Sequence, residues 1–125
     1  MKIAVVGSRE FKDIKFERNV ILKELIFAIP DIEENPNAPD PILISGGARG
    51  IDTLAEEVAK SQRIETKIFP AEWNKYGKGA GFIRNELIIK EADRVIAFWD
   101  GRSKGTKHSI NIAILAHKPI DIYIR

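Results

Sequence analysis

The chain contains no cysteine among its 125 residues. That absence excludes a disulfide framework, thiolate zinc sites and a thiol nucleophile. Aromatic residues are sparse at 8%. No apolar run approaches the ~18 residues needed to cross a bilayer as a helix, so no membrane association is expected. The two histidines come with no HxxxH spacing and no carboxylate cluster, so no dedicated metal site is expected. Nor is a bound cofactor. Neither charge predominates: 20 Lys and Arg face 18 Asp and Glu, a net +2. That balance permits an anionic ligand without demanding nucleic acid. Met1 to Gly7 holds too short an apolar stretch for a signal peptide and reads as a strand. What is present, 44% hydrophobic residues, fills one core. A single soluble, cytoplasmic domain over 1–125 is expected.

Short β-rich runs alternate with helical patterns. Ile3 to Val6 is continuous, as in a strand buried on both faces. A helix is expected from near Phe16 to Pro30, with Leu22, Leu25, Ile26 and Ile29 as its buried stripe. Four of the six prolines then crowd between Pro30 and Pro41, marking an exposed loop. Ile42 to Ile44 gives a second strand. The next helix has Ile51, Leu54, Ala55 and Val58 on one face, capped either by a Thr53–Glu56 box or by Asp52. Lys67 to Phe69 suggests an edge strand, and Pro70 to Gly79 a polar, aromatic loop. A helix over Ala80 to Glu91 and a strand over Arg94 to Trp99 follow. The last helix carries Ile110, Ala113, Ile114 and His117 and stops at Pro119. Ile120 to Ile124 is the final strand. This β-α alternation predicts a Rossmann-like α/β fold: an open, mostly parallel five-stranded sheet with helices on both faces. The expected strand order is 3-2-1-4-5.

Six of the nine glycines stand just after predicted strands: Gly7, Gly46, Gly47, Gly50, Gly101 and Gly105. In a parallel sheet those loops share one edge, where ligands bind at the point of strand reversal. Glycine either merely makes these turns or lets backbone amides approach an anion. Three of the loops also carry Arg, Ser, Thr or Lys, which favours a phosphate site. GxxxxGK[ST] is missing, and Gly46, Gly47 and Gly50 do not form GxGxxG, so the cradle is of another kind.

Ser45-Gly46-Gly47-Ala48-Arg49-Gly50-Ile51-Asp52 resembles the corresponding motif of the DNA-processing protein A family. That family belongs to the SLOG superfamily together with the lonely guy cytokinin-activating enzymes. The YspA/YpsA-related small-protein branch of SLOG is similar nearly end to end. Gly7-Ser8-Arg9 and Phe11 carry that likeness first. Trp73-Asn74, Tyr76-Gly77-Lys78, Ala80-Gly81 and Arg84-Asn85 follow. Ala92-Asp93, Ala97-Phe98-Trp99, and Ser103 to Thr106 with His108 complete it. The resemblance implies a Rossmann-like fold that binds a nucleotide or nucleotide-derived ligand. It implies a homodimer as well, and no established reaction.

The candidate ligand-binding residues are Gly7, Ser8, Arg9, Ser45, Gly46, Gly47, Arg49, Gly50, Asp52, Arg84, Asn85, Ser103, Lys104, Gly105 and Thr106. Arg9 and Arg49 are suited to bidentate pairing with phosphate. Asp52 either caps its helix or bonds a ribose hydroxyl. Arg84 and Asn85 either reach the ligand or form an ordinary helix start. Trp73 and Tyr76 either stack on a base or fold onto the core. Ser103 and Thr106 suit phosphate oxygens and also cap helices. His108 reads as structural, on a first turn whose dipole disfavours its charged form.

The leading expectation is therefore nucleotide-ligand binding, in the manner of a sensor of an ADP-ribose-like or other signalling nucleotide. The alternative is N-glycosidic hydrolysis of a nucleoside 5′-monophosphate, as in the lonely guy enzymes. Their motif, PGGxGT followed closely by glutamates, is altered here. Arg102-Ser103-Lys104 precede Gly105-Thr106, and Lys107, His108 and Ser109 follow with no acid. An oxocarbenium-like transition state needs a carboxylate, for which Asp100 or Glu86 would have to substitute. Single-stranded DNA is the third reading, because basic residues interleave with aromatics only from Trp73 to Lys78. Apparent surplus apolar residues on two helices (Val20, Ile21, Phe27; Phe82, Ile88, Ile89) support dimerisation.

Overall fold

A computed structural model describes residues 1–10 and 13–124. Phe11, part of the sequence likeness above, lies outside the described residues. In chain order the elements are β1 Lys2–Gly7, α1 Ile14–Phe27, β2 Ile42–Ser45, α2 Ile51–Ser61, β3 Glu65–Ile68 and α3 Trp73–Tyr76. A 3-10 turn Gly77–Gly79, α4 Ala80–Glu91, β4 Arg94–Trp99, α5 Lys104–Leu115 and β5 Ile120–Ile124 follow. The strands form one sheet in the order β3-β2-β1-β4-β5, the order expected. All four pairings are parallel. Strand order reverses between β1 and β4, whose register runs from Ile3 opposite Arg94 to Gly7 opposite Phe98.

The period of two along each strand divides the core. Ile3, Val5, Leu43, Ile96 and Phe98 face α1 and α2. Ala4, Val6, Ile44, Val95 and Ala97 face α4 and α5. This two-sided burial is why the strands read as continuous apolar runs. At the amino end of the sheet, Lys2 and Lys67 share Glu91 at 2.8 and 3.2 Å. Arg94 pairs with Glu24 at 3.1 Å and with Asp121, joining α1, β4 and β5. Partly exposed pairs of this kind contribute about 1 kcal/mol each, so the two apolar layers carry most of the stability.

The structure corrects several local expectations. The buried face of α1 is Glu17, Ile21 and Leu25, while Ile26 and Ile29 are exposed. Ile21, Ile88 and Ile89 are core residues and not surplus, which leaves Phe27 and Phe82 exposed. Helix α2 buries its expected stripe, but its N-cap is Gly50 with no side-chain cap bond, so neither capping reading holds. The stretch expected as a loop after Pro70 contains α3 and the 3-10 turn. Strand β3 begins at Glu65 and ends before Phe69. Helix α5 ends at Leu115 ahead of Pro119, and the chain turns through His117 at φ 57°. Ile114 and His117 are exposed there, so the stripe narrows to Ile110 and Ala113 with Thr106 and Ser109.

Gly50 fixes how closely the β1 and β2 loops approach. Its φ is +86°, and a Cβ there would lie 2.5 Å from the backbone of Arg9. Gly50→Ala is therefore expected to destabilise the fold by about 2–4 kcal/mol in urea titration, with the slope unchanged. Gly79→Ala, where a Cβ meets nothing within 4 Å, is expected to be neutral or mildly stabilising. The reverse ranking would show that this loop contact does not constrain the fold.

Candidate functional site

The loops leaving β1, β2 and β4 enclose a cleft of about 450 Å³ at the carboxyl edge of the sheet. The β1 loop contributes Gly7, Ser8, Arg9 and Glu10. Ala48, Arg49 and Asp52 come from the β2 loop and α2, and Arg84, Asn85 and Ile88 from α4. Asp100, Ser103, Gly105, Thr106 and Ser109 close the third side. A neighbouring cleft of about 510 Å³ shares Arg9, Ala48, Arg49 and Arg84 with the first. It adds Gly46, Gly47, Pro70, Ala71 and Trp73.

Close backbone approaches shape this edge. A Cβ on Gly7 would lie 2.6 Å from Ile51, and the Ile51 amide donates to the Ser8 carbonyl at 3.2 Å. The β2 loop is tied inward. Asp52 Oδ2 accepts the Ala48 amide at 3.1 Å, and the Gly46 amide also bonds the Asp52 carboxylate. Gly47 donates to Ser45 Oγ at 3.3 Å, and Ser45 Oγ donates to Glu56 at 2.8 Å. Thr53 Oγ1 donates to the Ala48 carbonyl at 3.0 Å. The amides of Gly46, Gly47 and Ala48 therefore already have acceptors in the protein.

Arg84 bridges the two clefts. It donates to the Gly46 carbonyl at 2.8 Å and to Asn85 Oδ1 at 3.0 Å. Asn85 in turn donates to the Gly105 carbonyl at 3.3 Å, linking α4 to the first turn of α5. Partial burial lowers the Arg84 pKa; Asp52 opposes that shift and Arg9 adds to it. Burial pushes the Asp52 carboxyl up from 3.8 to about 6, against the pull of the two amides and Arg84. On the third side, Asp100 Oδ1 accepts the amides of Arg102 and Ser103 at 2.8 and 2.7 Å. Ser103 Oγ caps the Thr106 amide at 3.4 Å. Among the described residues, neither Arg9 nor Arg49 forms an ion pair.

Most sequence candidates gather at the first cleft: Gly7, Ser8, Arg9, Arg49, Asp52, Arg84, Asn85, Ser103, Gly105 and Thr106. Gly46 and Gly47 border the second. Ser45 and Gly50 are buried structural residues, and the exposed Lys104 borders neither cleft. Glu10, Ala48 and Ser109 line the first cleft without having been singled out. Ser109 stands three residues past Thr106 on the buried face of α5, a spacing that helical periodicity would have given. Of the two substitute acids, Asp100 lines the cleft, whereas Glu86 is exposed outside it. His108 lies against Phe82 with ring centroids 4.4 Å apart, and it borders neither cleft. No described helix is long and apolar enough to cross a membrane.

A model of the YspA, cpYpsA-related SLOG family matches residues 1–76. The Gene 61 protein of Mycobacterium phage D29 is 32% identical over 125 residues, 95% of this chain and 93% of that protein. Among solved structures, DNA processing protein A from Helicobacter pylori gives a TM-score of 0.70 at 22% identity, covering 98% of this chain and 64% of that one. The same protein from Streptococcus pneumoniae gives 0.71 at 24%, covering 97% and 49%. TM1055, a structural-genomics target, gives 0.67 at 17%, covering 95% and 71%. At such identities these likenesses show the fold. The chain spans about half to two thirds of the length of the DNA processing proteins.

The Asp52 carboxyl gives a signed pH prediction. Its pKa is higher folded than unfolded, so between pH 3.8 and about 6 the native state holds more proton than the unfolded state. Stability from this group is then full below pH 3.8 and is lost as pH rises through about 6. The difference is at most about 3 kcal/mol. Urea midpoints measured from pH 4 to 7 should show this decline in the wild type. Asp52→Asn should flatten that part of the curve. An unchanged slope in the variant would assign the decline to other groups.

Proposed function

The chain belongs to the YspA, cpYpsA-related SLOG family, and from that premise we propose that it binds a nucleotide or nucleotide-derived ligand at the carboxyl edge of its sheet. The observation that carries this reading is that Arg9 and Arg49 line the cleft without ion pairs among the described residues. They share the cleft with Gly105 and Thr106 of the α5 N-terminus. The phosphate lies between these two groups of residues. Because the amides of Gly46, Gly47 and Ala48 are engaged by Asp52 and Ser45, the guanidinium groups and the positive end of the α5 dipole carry the anion. A role as a sensor of such a ligand belongs to the same proposal.

Asp52 favours a second reading, hydrolysis of a nucleoside 5′-monophosphate. A carboxyl with its pKa near 6 lines the cleft and suits a general acid. It would give its proton to the leaving base as the C1′–N bond breaks. A water molecule would add at C1′ and return a proton to the carboxylate. The Helicobacter pylori neighbour is described by its single-stranded DNA binding mode. For this chain, DNA binding enters as an outcome of the test.

Calorimetric titration with AMP, ADP-ribose and NAD tests these readings. A charged hydrogen bond contributes about 1.5–3 kcal/mol, so Arg49→Ala should weaken binding roughly tenfold to a hundredfold while the fold survives. Thr106→Ala should weaken it less. Equal binding by both variants would put the site elsewhere. Release of free adenine from AMP would establish the second reading. If none of the three binds, and single-stranded oligonucleotides are retarded in a salt-sensitive way, DNA replaces the nucleotide. We also propose a homodimer formed through the exposed Phe27 and Phe82. Light scattering at micromolar concentration should give a dimer mass, and a monomer mass would end that proposal.

A further inference from the structure

We propose that the ligand is two-ended: two organic groups joined by a diphosphate that lies across Arg9, Arg49 and Arg84. The inference rests on the nucleotide reading above and goes further, because it assigns the second cleft.

The two clefts hold about 450 and 510 Å³ and meet along a shared border of Arg9, Ala48, Arg49 and Arg84. Each alone falls toward the lower end of the ~300–1,000 Å³ typical of small-molecule sites, and together they approach the upper end. The cationic groups therefore lie at the middle of the combined site. A mononucleotide carries its phosphate at one end. With that phosphate on the border, one cleft stays empty. A diphosphate in mid-ligand puts its charge on the border and an organic group on either side.

Both compartments are lined mostly by polar surface, and an aromatic side chain, Trp73, distinguishes the second. The first is lined by the polar side chains of Asp52, Asn85, Asp100, Ser103 and Ser109, residue types that bond sugar hydroxyls. In the second, Pro70, Ala71 and Trp73 offer carbon surface, with Gly46 and Gly47 adding no side chain. Trp73 is 53% exposed, an indole that has buried only half of itself. It is carried on α3 and reaches over Gly81 of α4, where an added Cβ would lie 3.5 Å from its ring. A base stacked there covers the remaining apolar surface. Gly46 lets Arg84 hold the border, since a Cβ would come within 2.6 Å of Arg84 Nη1 and 2.9 Å of Asp52 Oδ2.

The test compares ADP-ribose with its halves, AMP and ribose 5-phosphate, by calorimetry on the wild type, Trp73→Ala and Trp73→Phe. ADP-ribose is expected to bind at least about tenfold tighter than either half. Trp73→Ala should weaken ADP-ribose and AMP by about tenfold and leave ribose 5-phosphate unchanged. Trp73→Phe, which keeps a flat ring, should recover most of the loss. ADP-ribose binding no tighter than AMP would overturn the two-ended ligand while leaving the nucleotide reading intact. A Trp73→Ala loss equal for all three probes would make Trp73 a structural residue and overturn the second compartment. Absence of binding by all three would remove the nucleotide reading, and this inference with it.

Discussion

At the carboxyl edge of β2, the Asp52 carboxylate ties the β2 loop to the start of α2. It accepts amides of the Gly46–Ala48 loop and lies beside the Arg84 guanidinium, which itself bonds the Gly46 carbonyl. Burying a carboxylate is unfavourable, and burial, with the nearby Glu56 adding to it, raises the pKa to about 6 in spite of these partners. In return, one side chain sets the path of the loop, the position of Arg84 and the border between the two clefts. The glycines of the loop consequently serve close approach more than anion donation. Gly46 makes room for Arg84 and Asp52, and Gly50 makes room for the backbone of Arg9.

That arrangement explains what sequence could and could not tell. Strands and their order were legible because parallel strands buried on both faces need unbroken apolar runs, and because glycine follows the strand ends. The same topology forces the loops after β1, β2 and β4 onto one edge, so residues at those strand ends were natural candidates. Side-chain orientation was less legible. The face of α1 was misjudged because the buried Glu17 extends the Ile21–Leu25 stripe, and a carboxylate does not register as a core residue. The α2 start was misjudged because Asp52 turns back to the amide of Ala48, four residues upstream, and leaves Gly50 as the cap. Nothing in a hydropathy pattern distinguishes that carboxylate from an ordinary cap. Helix α3 is one turn long and all its residues are exposed, so it has no apolar stripe to announce it.

The ends of the sheet differ in how charge is handled. At the amino end, Lys2, Lys67 and Arg94 all have carboxylate partners. At the carboxyl end, Arg9 and Arg49 have none among the described residues, and the charge of Arg9 acts against that of Arg84. The sequence balance of 20 basic and 18 acidic residues hides this asymmetry, because the fold brings three arginines to one border, with Glu10, Asp52 and Asp100 lining the first cleft beside it. Uncompensated like charges oppose the folded state, though solvent screens the exposed members of the group.

That opposition has a consequence for any anion the border receives. A ligand that binds only the native state stabilises it by mass action. Here the anion would add a further effect by relieving repulsion between Arg9 and Arg84. The carboxyl of Asp52 works in the reverse sense: when ionised it stands beside the same border and disfavours a second anion, and when protonated it does not. The loop geometry, the arginine cluster and the raised pKa of Asp52 are thus one coupled system. Asp52 offsets part of the Arg84 charge, while Arg9 and Arg49, which also line both clefts, share the first with Glu10 and Asp100.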